Sequence, residues 1–287
     1  MPMIKTENLT HVYSEGTPFR KVAIDNVNLE IEQGEFLGVI GHTGSGKSTL
    51  IQHFNGLIKP TSGKIWIDGQ DLWADKEERI AVRFKVGLVF QYPEYQLFEQ
   101  TVYKDIAFGP KNMKLDDGEV DKRVRRAAAF VGLKPAEMQK SPFELSGGQK
   151  RRVAIAGVLA MEPKVLILDE PTAGLDPKGR DMILGQIKEY HQTEKSTILL
   201  VSHSMEDVAT YANNVLVMNK SEVFMHDTIQ NVFTHAEEIE QMGLSVPQIT
   251  QVVMGLRARG FDLPANIYTV SEAKNALIKL VGKGGKS

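Results

Sequence analysis

The stretch Gly41-His-Thr-Gly-Ser-Gly-Lys47-Ser48 decides how the rest of this 287-residue sequence is interpreted. It follows the apolar run Phe36–Ile40, whose length and branched side chains predict a buried strand, and it opens a predicted helix, Ser48–Leu57. In this context backbone N–H groups and the helix N-terminus surround phosphate oxygens. We therefore predict a phosphate-binding loop formed by Gly41, His42, Thr43, Gly44, Ser45, Gly46, Lys47, Ser48 and Thr49.

Two side chains of this loop have predicted roles beyond those of its backbone. The Lys47 ammonium is expected to reach the β- and γ-phosphates of a nucleotide. The Ser48 hydroxyl is expected to be a ligand of Mg²⁺. The pattern G-x-x-x-x-G-K-[ST] thus predicts a nucleoside triphosphate and magnesium as ligands.

Three further apolar runs predict buried strands, at Val86–Phe90, Val165–Leu168 and Thr197–Val201. Their length and branched residues suit a mainly parallel sheet that is covered on both faces. Apolar residues that alternate with polar ones predict half-exposed antiparallel strands beside that sheet. These alternating residues are Val27, Leu29, Ile31, Ile65 and Ile67. The predicted fold class is α/β, with a mixed core sheet and an antiparallel β layer.

The chain between the runs Val86–Phe90 and Val165–Leu168 has a different character. Val120, Val124 and Val131 follow helical spacing with Ala127 and Ala128, which predicts an inserted helical subdomain at about residues 91–160. We assign residues 1–233 to one domain. Residues 234–287 form a mainly helical C-terminal extension, expected to serve assembly or dimerisation, and residues 282–287 are expected to be a frayed tail.

Composition and charge exclude several classes of protein. Lysine plus arginine is 34 and aspartate plus glutamate is 36, a formal charge of 34 − 36 = −2, which disfavours a nucleic-acid binder. The absence of cysteine excludes disulfides, iron–sulfur clusters and thiolate zinc sites. No stretch has the roughly 18 consecutive apolar residues that span a bilayer, so we expect any membrane role to depend on partner chains.

A second chemical element is the strand Val165–Leu168 followed by Asp169 and Glu170. It delivers two carboxylates to the end of a strand where open α/β sheets bind ligands. Asp169 is predicted to hold Mg²⁺, directly or through water. Glu170 is predicted to orient the attacking water and act as its general base.

The motif Leu145-Ser-Gly-Gly-Gln149 precedes a predicted helix, Lys150–Met161, so Ser146 and the two glycines lie where a helix N-terminus can bind an anion. Taken alone, the motif could also be only a helix cap, since serine and glycine are favoured there. The phosphate loop, this motif and a strand ending in Asp-Glu, in that order, resemble the ATP-binding cassette (ABC) ATPases over about Met3–Phe233. The resemblance implies that ATP is bound between two such subunits. It also implies that the motif of one subunit closes over the nucleotide of the other, through Ser146, Gly147, Gly148 and Gln149.

The same resemblance implies roles for four more residues. Gln91, after the strand Val86–Phe90, corresponds to the glutamine that contacts Mg²⁺ and couples the site to a transmembrane partner. His203 corresponds to the histidine that contacts the γ-phosphate. Asp176 corresponds to an aspartate that communicates across the dimer, although Asp followed by proline is also a common helix N-cap. Tyr13 corresponds to the aromatic residue that stacks on adenine, although a tyrosine in a strand is usually a packing residue.

The segment Pro93-Glu-Tyr-Gln-Leu-Phe-Glu99 and the segment Met242–Gln248 narrow the resemblance. Both resemble the second ATPase subunit of energy-coupling factor transporters. This implies a heterodimer with another ABC ATPase subunit, a transmembrane coupling protein and a membrane-embedded substrate-binding subunit. It implies import of vitamins, related micronutrients or metal ions, and a peripheral location on the cytoplasmic face of the cell membrane.

An aromatic cluster in this region has two interpretations. It could belong to the core of the helical subdomain, or it could line a groove for an amphipathic helix of a membrane partner. The cluster consists of Tyr92, Tyr95, Phe98, Tyr103 and Phe108.

Two other functions are compatible with an ATP-binding cassette. One is a cassette ATPase that acts on nucleic acid or ribosomes, which the single cassette, the lack of long heptads and the near-neutral charge disfavour. The other is a regulatory module that binds ATP without hydrolysing it. The complete set of Lys47, Asp169, Glu170 and His203 favours hydrolysis.

Overall fold

The strands of the chain form two sheets. The structure is a computed structural model that describes residues 1–284, except for the side chains of Glu78 and of residues 282–284. The strands are β1 (Ile4–Tyr13), β2 (Lys21–Ile31), β3 (Phe36–Gly41), β4 (Ser62–Ile67), β5 (Gln70–Asp71), β6 (Val86–Val89), β7 (Val165–Asp169), β8 (Thr197–Val201), β9 (Asn214–Asn219) and β10 (Glu222–Thr228). The helices are α1 (Lys47–Phe54), α2 (Lys76–Lys85), α3 (Val102–Asn112), α4 (Asp117–Phe130), α5 (Gly147–Leu159), α6 (Pro177–Glu194), α7 (Met205–Tyr211), α8 (Ile229–Thr234), α9 (Ala236–Gln241), α10 (Gln248–Ala258) and α11 (Val270–Gly284).

The larger sheet has six strands in the order β10-β9-β3-β8-β7-β6. All of its neighbouring strands are parallel except β10 and β9. Every residue of β3, β6, β7 and β8 is buried, which confirms the prediction of strands covered on both faces. The carboxyl ends of β3, β7 and β8 lie along one edge of this sheet, the position at which open α/β sheets bind ligands.

The smaller sheet has four antiparallel strands in the order β2-β1-β4-β5. The alternating residues of β2 and β4 are buried, as the period of two predicted. They share one hydrophobic core with α1 and with one face of the larger sheet. The antiparallel layer is therefore confirmed, and it holds α1 and the loop before it against the core sheet.

Helices α3, α4 and α5 lie between β6 and β7 and cover the other face of the sheet. Helix α4 begins after Asp116, whose side chain accepts a hydrogen bond from the backbone N–H of Glu119 at 3.0 Å. The residues predicted to form its apolar face, Val120, Val124, Ala127 and Ala128, are all buried. The limits of the subdomain at residues 91 and 160 remain a prediction.

Two predicted helices differ from the structure at their ends. Helix α1 stops at Phe54, earlier than predicted, because Gly56 adopts a left-handed conformation with φ of 68° and ends the helix. Helix α5 starts at Gly147 rather than at Lys150, because Ser146 caps its first turn.

The C-terminal extension contains two parts that pack differently. Helix α9 and the segment after it bury Ala236, Ile239, Leu244 and Val246 in the main core of the cassette, as the preceding helix α8 does with its own apolar side chains. Helices α10 and α11 pack mainly on each other around a small separate core of Val253, Leu263, Ile267 and Ala273.

The boundary between residues 233 and 234 remains a prediction. Of the predicted tail, residues 282–284 belong to α11 and residues 285–287 lie outside the described residues. No helix within residues 1–284 combines the length and the apolar character needed to cross a bilayer.

Candidate nucleotide-binding site

The phosphate loop connects β3 to α1 and lies between the two sheets. Gly46 precedes the first turn of α1 with φ of 105°, and a Cβ at this position would lie 2.4 Å from the carbonyl oxygen of Ala23 in β2. Only glycine fits this conformation and this close approach. The loop can therefore lie directly on β2 and present its open side to the cavity described below.

Lys47 is the cation at the centre of the site. Its side chain is only 6% exposed, and its Nζ donates hydrogen bonds to the carbonyl oxygens of Gly41, at 2.5 Å, and His42, at 2.9 Å. Burial lowers the pKa of Lys47, and the neighbouring carboxylates of Glu170 and Asp169 oppose that shift. The ammonium group is thus held by the backbone of the loop and faces two carboxylates.

Asp169 and Glu170 occupy the carboxyl end of β7. Burial raises the pKa of Asp169, against the opposing effects of Ser48 and Lys47. Burial also raises the pKa of Glu170, to about 7. A carboxylate with this pKa exchanges protons near neutral pH, which suits a general base.

The backbone of Glu170 is strained in a way that places its side chain. Its φ of 51° lies in the left-handed region, which is uncommon for residues other than glycine. Its N–H donates to the carbonyl oxygen of Val201 in β8 at 3.0 Å, so the strained conformation is fixed by the neighbouring strand. Strain of this kind concentrates at functional sites.

His203 follows β8 and faces the same carboxylate. Its Nε2 lies 3.3 Å from Glu170 Oε1, and burial followed by the charge of Lys47 lowers the pKa of His203. The imidazole is 55% exposed. Glu170 Oε1 is buried and makes no hydrogen bond of good geometry to any residue within 1–284, so it can accept one from a bound molecule.

Tyr13 and Gln91 lie at the borders of the site. The Tyr13 hydroxyl is 3.3 Å from Thr49 Oγ1. The Tyr13 ring makes a T-shaped contact with the imidazole of His11, with the two ring centroids 4.5 Å apart. Together the residues enclose a cavity of about 360 Å³. It is lined by Tyr13, Lys21, Ala23, Thr43, Gly44, Gly46, Lys47, Ser48, Thr49, Gln91, Asp169, Glu170 and His203.

Three residues of the predicted loop do not line this cavity. Gly41 and Ser45 are buried residues of the loop that face away from the cavity lining. The side chain of His42 instead forms a hydrogen bond with the carbonyl oxygen of Met242 in the C-terminal extension. Sequence reasoning did not anticipate that contact.

The motif Leu145–Gln149 also lies outside the cavity. Ser146 is the N-cap of α5: its Oγ accepts from the N–H of Gln149 at 3.4 Å, and its N–H donates to Gln149 Oε1 at 2.9 Å. The predicted N-cap role of Asp176 is confirmed, since its side chain accepts from the N–H of Gly179 at 2.8 Å. The chain thus brings together one set of predicted residues and leaves the set of Ser146, Gly147, Gly148, Gln149 and Asp176 apart from it.

Sequence reasoning missed two cavity residues, Lys21 and Ala23, which belong to the first part of β2. The alternation used to predict β2 is interrupted at Asp25 and Asn26, where Asn26 has φ of 47° and the pairing with β1 changes register. The only available signal was the alternation itself, which the irregularity hides.

Arg151 was also missed, and it joins three parts of the site. It is buried in α5, and its guanidinium donates to the Glu94 carboxylate, at 3.0 and 2.7 Å. The same group donates to the carbonyl oxygens of Pro171, at 3.3 Å, and Ala173, at 2.6 Å. Arg151 therefore ties the segment after Gln91 and the segment after Glu170 to the helix that starts at Ser146.

Comparison with known proteins identifies relatives of the whole chain. A family model described as "ABC transporter" matches residues 24–173, and a second, described as "AAA domain, putative AbiEii toxin, Type IV TA system", matches residues 140–207. The energy-coupling factor transporter ATP-binding protein EcfA2 of Clostridium tetani is 60% identical over 278 residues, which is 96% of each chain. The protein of the same name from Clostridium perfringens is 57% identical over 280 residues, which is 97% of this chain and 98% of that one.

Two solved structures share the fold. One is cbiO1 from Clostridium perfringens, described as part of the ABC transporter complex cbiONQ, with 41% identity and a TM-score of 0.74 over 88% of this chain and 99% of that chain. The other is the ATP-binding cassette MJ0796 in a dimeric post-hydrolysis state with ADP and Pi, with 31% identity and a TM-score of 0.71 over 79% of this chain and 99% of that chain.

Proposed function

This chain belongs to the ABC transporter family and, within it, to the energy-coupling factor transporter ATP-binding proteins, and from that premise we propose how its residues bind and hydrolyse ATP. It is an ATPase that drives import as a subunit of a transporter of this type. The single observation that carries the mechanism is the convergence of Lys47, Asp169, Glu170 and His203 in one cavity.

The phosphates of ATP lie on the loop and on the first turn of α1. Backbone N–H groups at this helix N-terminus and the Lys47 ammonium carry the positive potential that the phosphates need. Tyr13, at the border of the cavity, stacks on the adenine ring. The cavity of about 360 Å³ lies in the size range of small-molecule sites.

Magnesium accompanies the nucleotide in this proposal. The Ser48 hydroxyl, the Asp169 carboxylate and the Gln91 amide oxygen all line the cavity, and these are the hard oxygen ligands that Mg²⁺ prefers together with phosphate oxygens. A cation fits here because burial has already raised the pKa of the Asp169 carboxyl, so its ionised form gains from a nearby positive charge. When bound, the metal neutralises charge on the phosphates.

Glu170 is the general base of hydrolysis. Its Oε1, which accepts no hydrogen bond within the described chain, takes a proton from water as the water oxygen forms a bond to the γ-phosphorus. The bond from that phosphorus to the bridging oxygen of ADP breaks in the same reaction. His203, 3.3 Å from Oε1, orients the carboxylate and contacts the γ-phosphate, and Lys47 stabilises the charge on the transferred group.

A second ATPase subunit completes the site. The residues Ser146, Gly147, Gly148 and Gln149 form an exposed helix N-terminus, which binds anions well, and they line no part of the chain's own cavity. We propose that they close over the nucleotide of a partner ATPase in a heterodimer, with Asp176 communicating across the interface. The dimeric state described for MJ0796 supports this arrangement.

A transmembrane coupling protein docks beside Gln91. Four of the five predicted aromatic residues are exposed, namely Tyr92, Tyr95, Phe98 and Phe108. Phe98 and Phe108 pack edge to face at 4.9 Å and line a groove of about 300 Å³. The fifth residue, Tyr103, packs against the core and donates its hydroxyl to Asp121 at 3.1 Å, so the core interpretation holds for it alone.

Arg151 supports the coupling between this groove and the nucleotide. It connects Glu94, next to the groove, with the backbone after Glu170. A displacement at the groove is therefore transmitted to the catalytic segment through a buried, charge-assisted contact. The substrate enters through other subunits, and we propose vitamins, related micronutrients or metal ions as the cargo and the cytoplasmic face of the membrane as the location.

Affinity purification of the chain from solubilised membranes tests this proposal. Membrane subunits should co-purify with the wild-type chain and be largely lost with Phe98→Asp, because a carboxylate in the groove removes the apolar contact. Phe19→Asp is the matched control, since Phe19 is 83% exposed and lines no part of the groove. Recovery of ribosomal or DNA-repair proteins instead of membrane subunits would overturn the transport function.

A further inference from the structure

The segment that follows α9 carries a carbonyl group that its own helix leaves unpaired. Gly243 has φ of 69°, its N–H donates to the Glu240 carbonyl at 2.7 Å, and the Leu244 N–H donates to the Ile239 carbonyl at 3.1 Å. This pattern is a Schellman motif, in which Met242 is the C-cap residue that follows the last helical residue, Gln241. The Met242 carbonyl lies at the negative end of the helix, beyond the reach of intrahelical donors.

His42 of the phosphate loop supplies the missing donor. Its Nε2 forms a hydrogen bond with the Met242 carbonyl oxygen, and because a carbonyl only accepts, Nε2 carries the proton. The backbone carbonyl of the same histidine accepts from Lys47 Nζ at 2.9 Å and from the Ser45 N–H at 3.1 Å. One residue therefore contacts both the central cation of the site and the C-terminal extension.

The extension offers a firm support for this contact. Leu244 and Val246 are buried in the main core, which fixes the chain on the far side of Met242. A Cβ at Gly243 would lie 3.2 Å from His42 Cε1 and Nε2, so the backbone packs directly on the ring. The imidazole is thereby held between its own loop and a segment anchored in the core.

A second contact joins the extension to the other side of the site. The N–H of Gln248, at the start of α10, donates to Glu206 Oε1 at 3.2 Å. Glu206 lies in the first turn of α7, three residues after His203, and its other carboxylate oxygen accepts from Ser204 Oγ at 3.3 Å. The segment 242–248 thus touches the phosphate loop and the turn that carries the γ-phosphate histidine.

We propose that His42 is a positioning residue, whose side chain fixes the phosphate loop against the segment 242–248 so that this part of the extension sets the affinity for ATP. The inference rests on the proposed nucleotide site. Because coupling between two sites is reciprocal, bound ATP must stabilise the contact as much as the contact favours ATP. The extension therefore responds to the nucleotide bound by its own cassette, besides any role in assembly.

Equilibrium binding of ATP with Mg²⁺ and steady-state hydrolysis test this role in the full-length chain. We expect His42→Ala to weaken ATP binding by about threefold to tenfold, the loss of one hydrogen bond, and to raise KM more than it lowers kcat. His42→Gln keeps a side-chain N–H donor and should recover part of the affinity. Equal affinity of wild type, His42→Ala and His42→Gln would overturn the inference.

The opposite side of the contact is tested with a matched pair of glycine variants. Gly243→Ala places a methyl group against the His42 ring and strains a left-handed residue, so ATP binding should weaken. Gly255→Ala is the control, because a Cβ there meets nothing within 4 Å in the middle of α10. If both variants bind ATP as the wild type does, the segment 242–248 does not position the loop.

Hydrogen exchange provides a readout that a general loss of stability does not reproduce. ATP should slow amide exchange in residues 242–250 of the wild-type chain, and this protection should disappear in His42→Ala measured at saturating ATP. ATP-independent exchange of this segment in the wild type would contradict the coupling. Lys47→Ala distinguishes failure of the proposed nucleotide site from failure of this inference. If the wild-type chain binds ATP no better than Lys47→Ala, the proposed site is wrong, and this inference is wrong with it. If Lys47→Ala loses ATP binding but His42→Ala binds ATP as the wild type does, only the positioning role of His42 is wrong.

Discussion

Helices α1 and α5 both have glycine and serine at or beside their N-termini, and they differ in what surrounds their first turns. The N-terminus of α1 lies at the carboxyl edge of the core sheet, where β7 and β8 place Asp169, Glu170 and His203 around it. The N-terminus of α5 is satisfied by its own cap, Ser146 with Gln149, and lies on the surface. A helix N-terminus alone therefore does not assemble a catalytic site, and its position relative to the strand ends decides whether the chain itself places acidic and basic side chains around it.

The largest effect is expected when the carboxylate of Glu170, beside the N-terminus of α1, is replaced. In Glu170→Gln the proposed general base is lost while shape is kept, so hydrolysis should fall by about 10²- to 10⁴-fold with ATP binding retained. Phosphate release gives the rate, and sedimentation should show an ATP-bound dimer that persists. Glu189→Gln, on the exposed face of α6, is the control. Unchanged turnover in Glu170→Gln would show that the two helix ends do not differ as described.

The N-terminus of α5 is tested with a substitution that creates no close contact within the chain itself. A Cβ at Gly148 meets nothing within 4 Å, so Gly148→Ala should fold with unchanged or slightly raised stability and keep the affinity of a single chain for ATP. Hydrolysis by the assembled dimer should nevertheless fall about tenfold, because the methyl group would crowd the nucleotide held by the partner.

Gly185→Ala in α6 is the matched control, since its Cβ also meets nothing within 4 Å and it lies outside both sites. Full activity of a dimer that carries Gly148→Ala would contradict the closure of this motif over a partner's nucleotide.

The difference between the two helix ends also separates what the sequence predicts from what it cannot. Strand ends and glycine patterns are local, so the positions of Lys47, Asp169 and Glu170 followed from short motifs. The start of α5 was predicted three residues late, at Lys150 rather than Gly147, because Gly147 and Gly148 have low helix propensity. Ser146 and Gln149 nevertheless form a capping box that marks the true start. Long-range contacts have no local signal.

The contact between His42 and Met242 illustrates that last class. It joins residues that are 200 positions apart, and neither residue has a pattern that indicates the other. Arg151 is a similar case, because a basic residue in a helix after a glycine-rich motif is usually exposed. The partners of both side chains can be identified only once the three-dimensional arrangement of the chain is known.

A smaller effect is expected at the base-binding border of the α1 side. Tyr13→Ala should weaken ATP binding by about fivefold, the lower end of what stacking of a base on an aromatic ring contributes. Tyr13→Phe keeps the ring and loses only the half-exposed contact with Thr49, so its affinity should stay within about twofold of the wild type. Equal binding by all three chains would leave Tyr13 as a packing residue of β1.

The smallest effect is a contrast in stability between one carboxyl at each helix end. Burial raises the pKa of Glu170 to about 7. Burial alone would also raise the pKa of Glu137, beside α5, but hydrogen bonds from the Lys134 backbone N–H and the Gln149 side chain outweigh it and lower that pKa. The two groups therefore shift in opposite directions from their ordinary value of 4.5.

These opposite shifts predict opposite pH dependence. Between about pH 4.5 and 7 the folded chain binds a proton at Glu170 that the unfolded chain has lost, so this group favours folding at low pH and opposes it as the pH rises. Below about pH 4.5 the unfolded chain protonates Glu137 first, so its stabilising contribution is present at neutral pH and is lost on acidification. Relative to the wild type, Glu170→Gln should gain about 2 to 4 °C in Tm from pH 5 to pH 8.

Glu137→Gln should be less stable than the wild type at pH 7, and this deficit should shrink below pH 4.5. Thermal unfolding of the three nucleotide-free chains across this pH range measures both differences in one experiment. Parallel curves for all three chains would mean that neither carboxyl is perturbed by its surroundings. The α1 end would then lose the feature that suits it to accept a proton at neutral pH, since a Glu170 with an ordinary pKa would be a much weaker base.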